Sequence, residues 1–394
     1  MKLSTVVSAV SRRSFALGAA LLLLAACETG PAIRGGGGPS VDPNAQVKVA
    51  LLAPQTAGDP ALQRIARDLV NAAQLARADL RNADVDLQVY DTRGTFEGGQ
   101  SAATQAVAGG AQIILGPLLS VEAAGAQPPA ASAGLSMLTF SNNPSVAGPG
   151  TYLLGVTPGN SASALAGFAL GRGLSRFGVL YVQGEADEVI RDSVVSAVNA
   201  AGGQVVSTQA YPYSQQGVGD TVAVMSVALQ NAGANAVFLT ERSTAGLVAD
   251  GLRGNGLSAE QALLLGLQPW GGDADTLARP SLQGAVYAAP DPQLLSAFQG
   301  RYAAAYGEQP HELAVLAYDG VAAIGALIAE ARAQGGSPFS PARLTQPQGF
   351  AGANGAFRFQ QNGLSQRNLA IVEVRNGAAV VVSRAARGFG GLGN

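Results

Sequence analysis

The sequence predicts an α/β protein built as two doubly wound lobes, and three observations predict it. Between residues 47 and 140, short apolar runs bounded by Gly, Pro or Asn alternate with segments whose apolar residues recur at three and four. The same alternation restarts at Phe177 and continues to residue 267. The short runs read as strands of a parallel sheet buried on both faces, and the segments between them as crossover helices. At 394 residues, 47% hydrophobic and only 13% charged, the chain is long and apolar enough to fill two such cores.

Taken in order, Val47–Ala53 is a strand that stops at Pro54. Pro60 opens a helix that places Leu62, Ile65, Leu69, Ala72, Ala73, Ala76 and Leu80 on one face. Residues 85–90 alternate as a strand, residues 98–108 follow as a helix, and Ile113–Leu115 is a third strand closed by Gly116-Pro117. A fourth, residues 136–140, ends in Ser141-Asn-Asn-Pro144. The second lobe repeats the pattern. Strands are expected at residues 177–182, 204–210, 236–240 and 263–267, and helices at 185–201, 222–232 and 244–252. Then the order changes. Helices at 294–306 and 311–333 precede hairpin segments at 355–359, 369–375 and 378–383, with Asn362-Gly363 and Asn376-Gly377 as type I′ turn signals. Residues 384–394 read as a loose Gly-rich tail.

The first residues are a targeting segment and stand outside the fold. Lys2, Arg12 and Arg13 precede an apolar stretch, residues 15–26, that is too short for a permanent membrane span. Leu24-Ala-Ala-Cys27 resembles a bacterial lipobox, which makes residues 1–26 a lipoprotein signal peptide and Cys27 the lipidation site. The chain is then expected on the periplasmic side of a bacterial membrane, lipid-anchored, with residues 27–45 as a Gly/Pro-rich tether. Ser11-Arg-Arg-Ser-Phe15 fits a twin-arginine signal and an ordinary basic leader equally. Loss of the three basic residues takes the net charge from −2 to −5, so no basic stripe is left for nucleic acid. Cys27 is the single cysteine, which excludes an intramolecular disulfide.

The residue types argue against an enzyme. The one histidine, His311, sits in Pro310-His-Glu312 and reads as a helix start. No metal-ligand cluster, phosphate loop or nucleophile elbow is present, and no cofactor or metal is expected. The stretch with the most chemical content is Ile113-Ile-Leu-Gly-Pro-Leu-Leu-Ser120. Ser120 can cap a helix whose first amides point beyond the end of a buried strand, where open α/β sheets bind ligands and helix N-termini favour anions. The same residues also suit a plain strand-turn-helix joint.

Several motifs, in order and spacing, carry a resemblance. They are Val49-Ala-Leu-Leu-Ala-Pro54, Gln88-Val-Tyr-Asp91, the stretch ending at Ser120, Ser141-Asn-Asn-Pro144, Phe177-Gly-Val-Leu-Tyr181, Tyr318-Asp-Gly320 and Gly355-Ala-Phe-Arg-Phe359. Over residues 46–383 the chain resembles the type I periplasmic binding proteins, in particular the leucine/isoleucine/valine-binding branch. The resemblance implies two lobes joined by three crossing segments, near residues 154–158, 288–290 and 350–352, with a ligand cleft between them. Residues 46–155 plus 290–349 would form one lobe, and residues 156–289 plus 350–383 the other.

It also implies a site. Backbone amides and a hydroxyl of Leu118, Leu119 and Ser120 would hold a ligand carboxylate, and Phe140, Ser141 and Asn142 would add contacts. The family's ammonium clamp, a Tyr and an acid, is altered here. The Tyr position falls near Ala186, beside Glu185 and Asp187, and the acid position falls at Gln268, whose neutral amide pairs poorly with an ammonium. Glu241 either substitutes or is a solvated loop carboxylate. Trp270 and Tyr181 either cover an apolar part of the ligand or pack within their lobe.

The implied function is non-enzymatic: binding of a small polar, carboxylate-bearing, amino-acid-like ligand by hinge closure, as a solute-binding component of uptake or sensing, with an ABC permease as the partner that uptake implies. The sequence is also similar to a narrower group, lipoproteins known as penicillin-binding protein activators. The lipobox, the Gly-rich tether, Gly349-Phe-Ala-Gly352 and Arg387-Gly-Phe-Gly-Gly391 carry that similarity. It implies protein–protein contact with a peptidoglycan synthase instead.

Overall fold

The structure, a computed structural model, describes residues 41–389. The signal-peptide and lipidation readings, on residues 1–26 and Cys27, lie outside the described residues, as do most of the tether and the last five residues of the tail.

The first sheet is made of β1 (Val47–Ala53), β2 (Val85–Asp91), β3 (Ile113–Leu115), β4 (Met137–Thr139) and β5 (Thr151–Leu153). All five are parallel, in the order β2-β1-β3-β4-β5. The crossovers are α1 (Pro60–Asp79), α2 (Phe96–Ala108) and α3 (Ser120–Ser132). α1 starts where the sequence says: Asp59 accepts from the Ala61 amide, and Pro60 has no amide to satisfy. α2 and α3 pack almost backbone to backbone. A Cβ at Gly99 would lie 2.1 Å from the Glu122 carbonyl oxygen, and one at Gly125 would lie 2.0 Å from that of Phe96.

The chain then runs through α4 (Pro158–Gly171) into a second sheet of β6 (Arg176–Val182), β7 (Gln204–Tyr211), β8 (Ala236–Leu239), β9 (Leu263–Gly266) and β10 (Val286–Ala289). Between them lie α5 (Glu185–Ala200), α6 (Gln215–Asn231), α7 (Arg242–Gly254) and α8 (Ala274–Ala278). These five strands are parallel in the order β7-β6-β8-β9-β10, so the winding of the first sheet is repeated. The late segment supplies α9 (Pro292–Tyr306), α10 (Ala314–Gln334), α11 (Pro341–Leu344), a two-stranded β11 (Phe357–Phe359) and β12 (Ser365–Arg367), and finally β13 (Ala370–Arg375) and β14 (Ala378–Ser383). β13 extends the second sheet antiparallel to β10, and β14 pairs antiparallel with β13 at the edge.

Each sheet has its own core. Leu51, Leu69, Ile113 and Leu115 pack with Tyr302, Ile324 and Leu327, so α9 and α10 return to the first sheet, which accounts for the change of order late in the chain. α10 is long and apolar enough by composition to cross a membrane, yet most of its apolar residues are buried in this core. Gly320 allows the approach, since a Cβ there would come 2.5 Å from the Leu115 side chain.

Four sequence expectations need correction. Phe350, Phe357 and Phe359 pack in the first core, whereas Leu369 and Ile371 pack in the second. The chain therefore crosses at residues 367–369, not at 350–352, because this aromatic cluster finds its partners, including Tyr152, against the first sheet. α6 begins at Gln215, not residue 222: Ser214 caps it on the Gly217 amide, and its polar first turn carries no apolar period. Asn376 and Gly377 both have positive φ (52° and 75°), as a type I′ turn requires, but in Asn362-Gly363 only Gly363 does. Residues 384–389 are seated, not loose, with Ala385 buried and the Asn368 side-chain amide donating to the carbonyls of Ala386 and Gly388.

Beside the crossings lies a buried ion pair. Arg367 donates to Asp319 (3.4 Å) and to the carbonyls of Leu154 (2.8 Å), Asn354 and Gly355 (3.1 Å each). Asp319 also accepts from the Ala353 and Asn354 amides at 2.7 and 3.1 Å. Both side chains are shielded from solvent, and burial pushes the Asp319 carboxyl up to about 6 against the pull of Arg367.

Candidate ligand-binding site

In both sheets the strand order reverses between the first strand and its neighbours, at β1/β3 and at β6/β8. Ligands of open α/β sheets bind beyond the carboxyl ends of strands at such a point. The first of these ends is the turn after β3. Gly116 takes φ 89°, and a Cβ there would lie 2.3 Å from the Leu52 carbonyl oxygen, so only glycine fits. The Pro117 carbonyl anchors the turn by accepting from the Thr139 hydroxyl (2.8 Å) and the Phe140 amide (2.9 Å).

Leu119 precedes α3 and has no side-chain acceptor to cap it. Glu122 replaces the cap by reaching back to the Leu119 amide at 2.8 Å. The Thr92 hydroxyl donates to the same carboxylate at 2.5 Å. Glu122 is fully buried, and burial pushes its carboxyl up, opposed by these donors. The wall expected to receive a ligand carboxylate thus contains a carboxylate of its own. The amide of Leu119, expected on the ligand, is turned onto Glu122. The amides of Ser120 and Val121 and the Ser120 hydroxyl, in contrast, have no acceptor among the described residues.

The other expected residues of this lobe divide the same way. Leu118 and Phe140 are buried in the first core, and Leu119 packs against it. Ser141 is buried, takes a bond from its own amide to the Thr139 hydroxyl (3.2 Å), and uses its hydroxyl to accept the Asn143 amide (3.2 Å). Asn142 is exposed.

At the second reversal, α5 opens with Glu185, Asp187 and Glu188 in its first turn, where the helix dipole favours negative charge. Glu241 caps α7 by accepting from the Ser243 amide (2.9 Å) and hydroxyl (2.8 Å). Burial and then the Glu241 charge push the Asp187 carboxyl up, so the two acids share one electrostatic neighbourhood. Gln268 donates to the Thr240 carbonyl at 3.2 Å. The Thr240 hydroxyl is buried without a partner among the described residues. Tyr211 bonds Thr244 at 2.7 Å, and burial pushes its phenol up to about 12.

Glu241 and Gln268 are therefore brought together around Thr240, next to Asp187. Trp270 and Tyr181 pack within their own lobe. Trp270 is buried against Tyr287, with ring centroids 5.6 Å apart, and the Tyr181 hydroxyl accepts from Arg191 at 3.0 Å. Sequence reasoning missed Glu122 and Thr92, whose roles need the contact between α2 and α3. A groove of about 1070 Å³ opens away from these residues, between α4, α5 and the β11–β12 hairpin, and none of the expected site residues lines it.

A family model for periplasmic binding proteins matches residues 46–379. The chain belongs to the periplasmic binding protein family. Among solved structures it is similar to a protein of Rhodospirillum rubrum described as a branched-chain amino acid ABC transporter, with 19% identity, 86% of this chain and 100% of that one covered, and a TM-score of 0.71. An ABC transporter substrate-binding protein of Desulfitobacterium hafniense, solved in complex with Leu, shares 17% identity over 86% of this chain and 100% of its own, with a TM-score of 0.59. A solute-binding protein of an ABC transporter of R. palustris, solved with benzoate, shares 16% over 87% and 97%, with a TM-score of 0.55. No curated protein matches the chain. The two-lobed fold with parallel sheets is the one these binding proteins share.

Proposed function

We propose that the chain is a lipid-anchored, periplasmic solute-binding protein that takes a small carboxylate-bearing ligand between its lobes and presents it to an ABC permease. The observation that carries this reading is the open start of α3. Ser120 offers a hydroxyl and, with Val121, two amides that the protein leaves without an acceptor, at a switch point where ligands of this fold class bind. Two of the solved relatives named above hold Leu or benzoate, which have a carboxylate in common. The Asp187–Glu241 pair supports an amine on the ligand's other end, in place of the family's Tyr-and-acid clamp. Anchoring would come from the lipid on Cys27, and no catalytic step is assigned.

A second reading, activation of a peptidoglycan synthase by protein contact, is favoured by one observation: Glu122 already occupies the amide of Leu119.

The test is calorimetric titration of the mature chain with amino acids and small aromatic acids. Heat is expected for at least one carboxylate. Ser120→Ala is expected to weaken that ligand about tenfold, since a bond to a charged group is worth roughly 1.5–3 kcal/mol. No heat from any compound, together with recovery of a peptidoglycan synthase in a pull-down, would establish the second reading.

A further inference from the structure

We propose that residues 384–389 form a C-terminal strap, a fourth tie between the lobes that restrains the hinge. The chain leaves the second sheet at Ser383 and docks on elements of the first lobe. Arg384 donates to Asp291 at 3.3 Å and to Gln293 at 3.0 Å, at the start of α9, whose Phe298 and Tyr302 belong to the first core. Phe389 lies under the Arg358 guanidinium, 4.7 Å from its ring centroid, and Arg358 sits on β11 between Phe357 and Phe359 of that same core. Between these two contacts, Asn368 donates to the carbonyls of Ala386 (3.0 Å) and Gly388 (3.1 Å). Asn368 is the residue at which the chain crosses between lobes, and its own amide bonds to Ala356. The strap therefore clasps the second and third crossings at once.

Two motifs that the binding site does not use explain each other here. Gly349 has φ 64°, and a Cβ on it would lie 2.4 Å from the Phe357 carbonyl and 3.0 Å from the Phe389 ring. Glycine at 349 makes the seat that the aromatic of Arg387-Gly-Phe389 fills. Phe389 and Ala386 also wall the groove between α4 and the β11–β12 hairpin, two elements that pack with different cores. Opening or closing the lobes changes that groove, and the strap lies across it. This role is independent of which ligand or partner the protein has.

Hydrogen exchange on three forms tests it: the full chain, a chain ending at Phe389, and a chain ending at Ser383. Amides at residues 154–157, 288–291 and 367–369 are expected to exchange about tenfold faster without the strap, while β1 and β6 amides stay unchanged and the chain ending at Phe389 behaves as the full chain. Phe389→Ala in the full chain is expected to move the same crossing amides in the same direction, which covers the case in which truncation prevents folding. Unchanged exchange at the crossings in Phe389→Ala, with faster exchange confined to residues 384–389, would overturn the proposal. So would faster exchange throughout both cores.

Discussion

Asp319 and Arg367 show how a single pair can hold a crossing together while adding little to net stability. Each is buried, and the pair also serves backbone groups of the first crossing at Leu154 and of residues 353–355, with Arg367 itself in the third crossing. Removing one partner leaves the other charge uncompensated. Arg367→Met is expected to destabilise the protein by about 3–5 kcal/mol in urea unfolding, and the double change Asp319→Leu with Arg367→Met by less than that. The pH dependence has a definite sign. Because the folded carboxyl is pushed above 3.8 to about 6, its favourable contribution is complete below 3.8 and is lost as pH rises through about 6. The stability of the wild-type chain relative to Asp319→Asn should therefore fall between these values and level off above them. A difference that rose over that interval would show that the buried carboxyl is not the titrating group. Tyr318-Asp-Gly320 was legible as a motif, but its partner was not: Arg367 lies 48 positions away, and only the third crossing brings it near.

At the scale of elements, the close pairing of α2 and α3 is what delivers Glu122 under the binding turn. Gly99 and Gly125 make that approach possible. Gly99→Ala would press a methyl group against the Glu122 backbone and is expected to cost about 1–3 kcal/mol of stability, read from the shift of the unfolding midpoint. The same change should weaken any ligand bound at Ser120, because α3 would have to move. Long apolar periods and short buried runs made most strands and helices legible in the sequence. β5 was missed because Thr151-Tyr-Leu153 lacks the continuous apolar run that marks Ile113–Leu115. α4 was missed because Pro158–Gly171 is built largely of Ala, Gly and Ser, with no apolar stripe. The turn after β3 was legible from Gly116 and Pro117, and the start of α3 from Ser120. That the Leu119 amide was already in use was not, since nothing in a linear spacing reveals that Glu122 accepts from both Leu119 and Thr92.

For the whole molecule, two sheets of the same winding leave two sets of strand ends with different chemistry. One offers free donors at Ser120 and Val121, and the other offers the carboxylates of Asp187 and Glu241. A ligand that contacts both sets stabilises the arrangement in which both are reached, which is how binding energy would drive closure about the crossings. The strap and the Asp319–Arg367 pair set how stiffly those crossings respond. The most direct test of this account is small-angle X-ray scattering of the mature chain with and without a saturating carboxylate ligand taken from the calorimetric screen. The account predicts a smaller radius of gyration with the ligand, and a smaller change in Ser120→Ala at the same ligand concentration. A radius that does not change on saturation of the wild-type chain would contradict it.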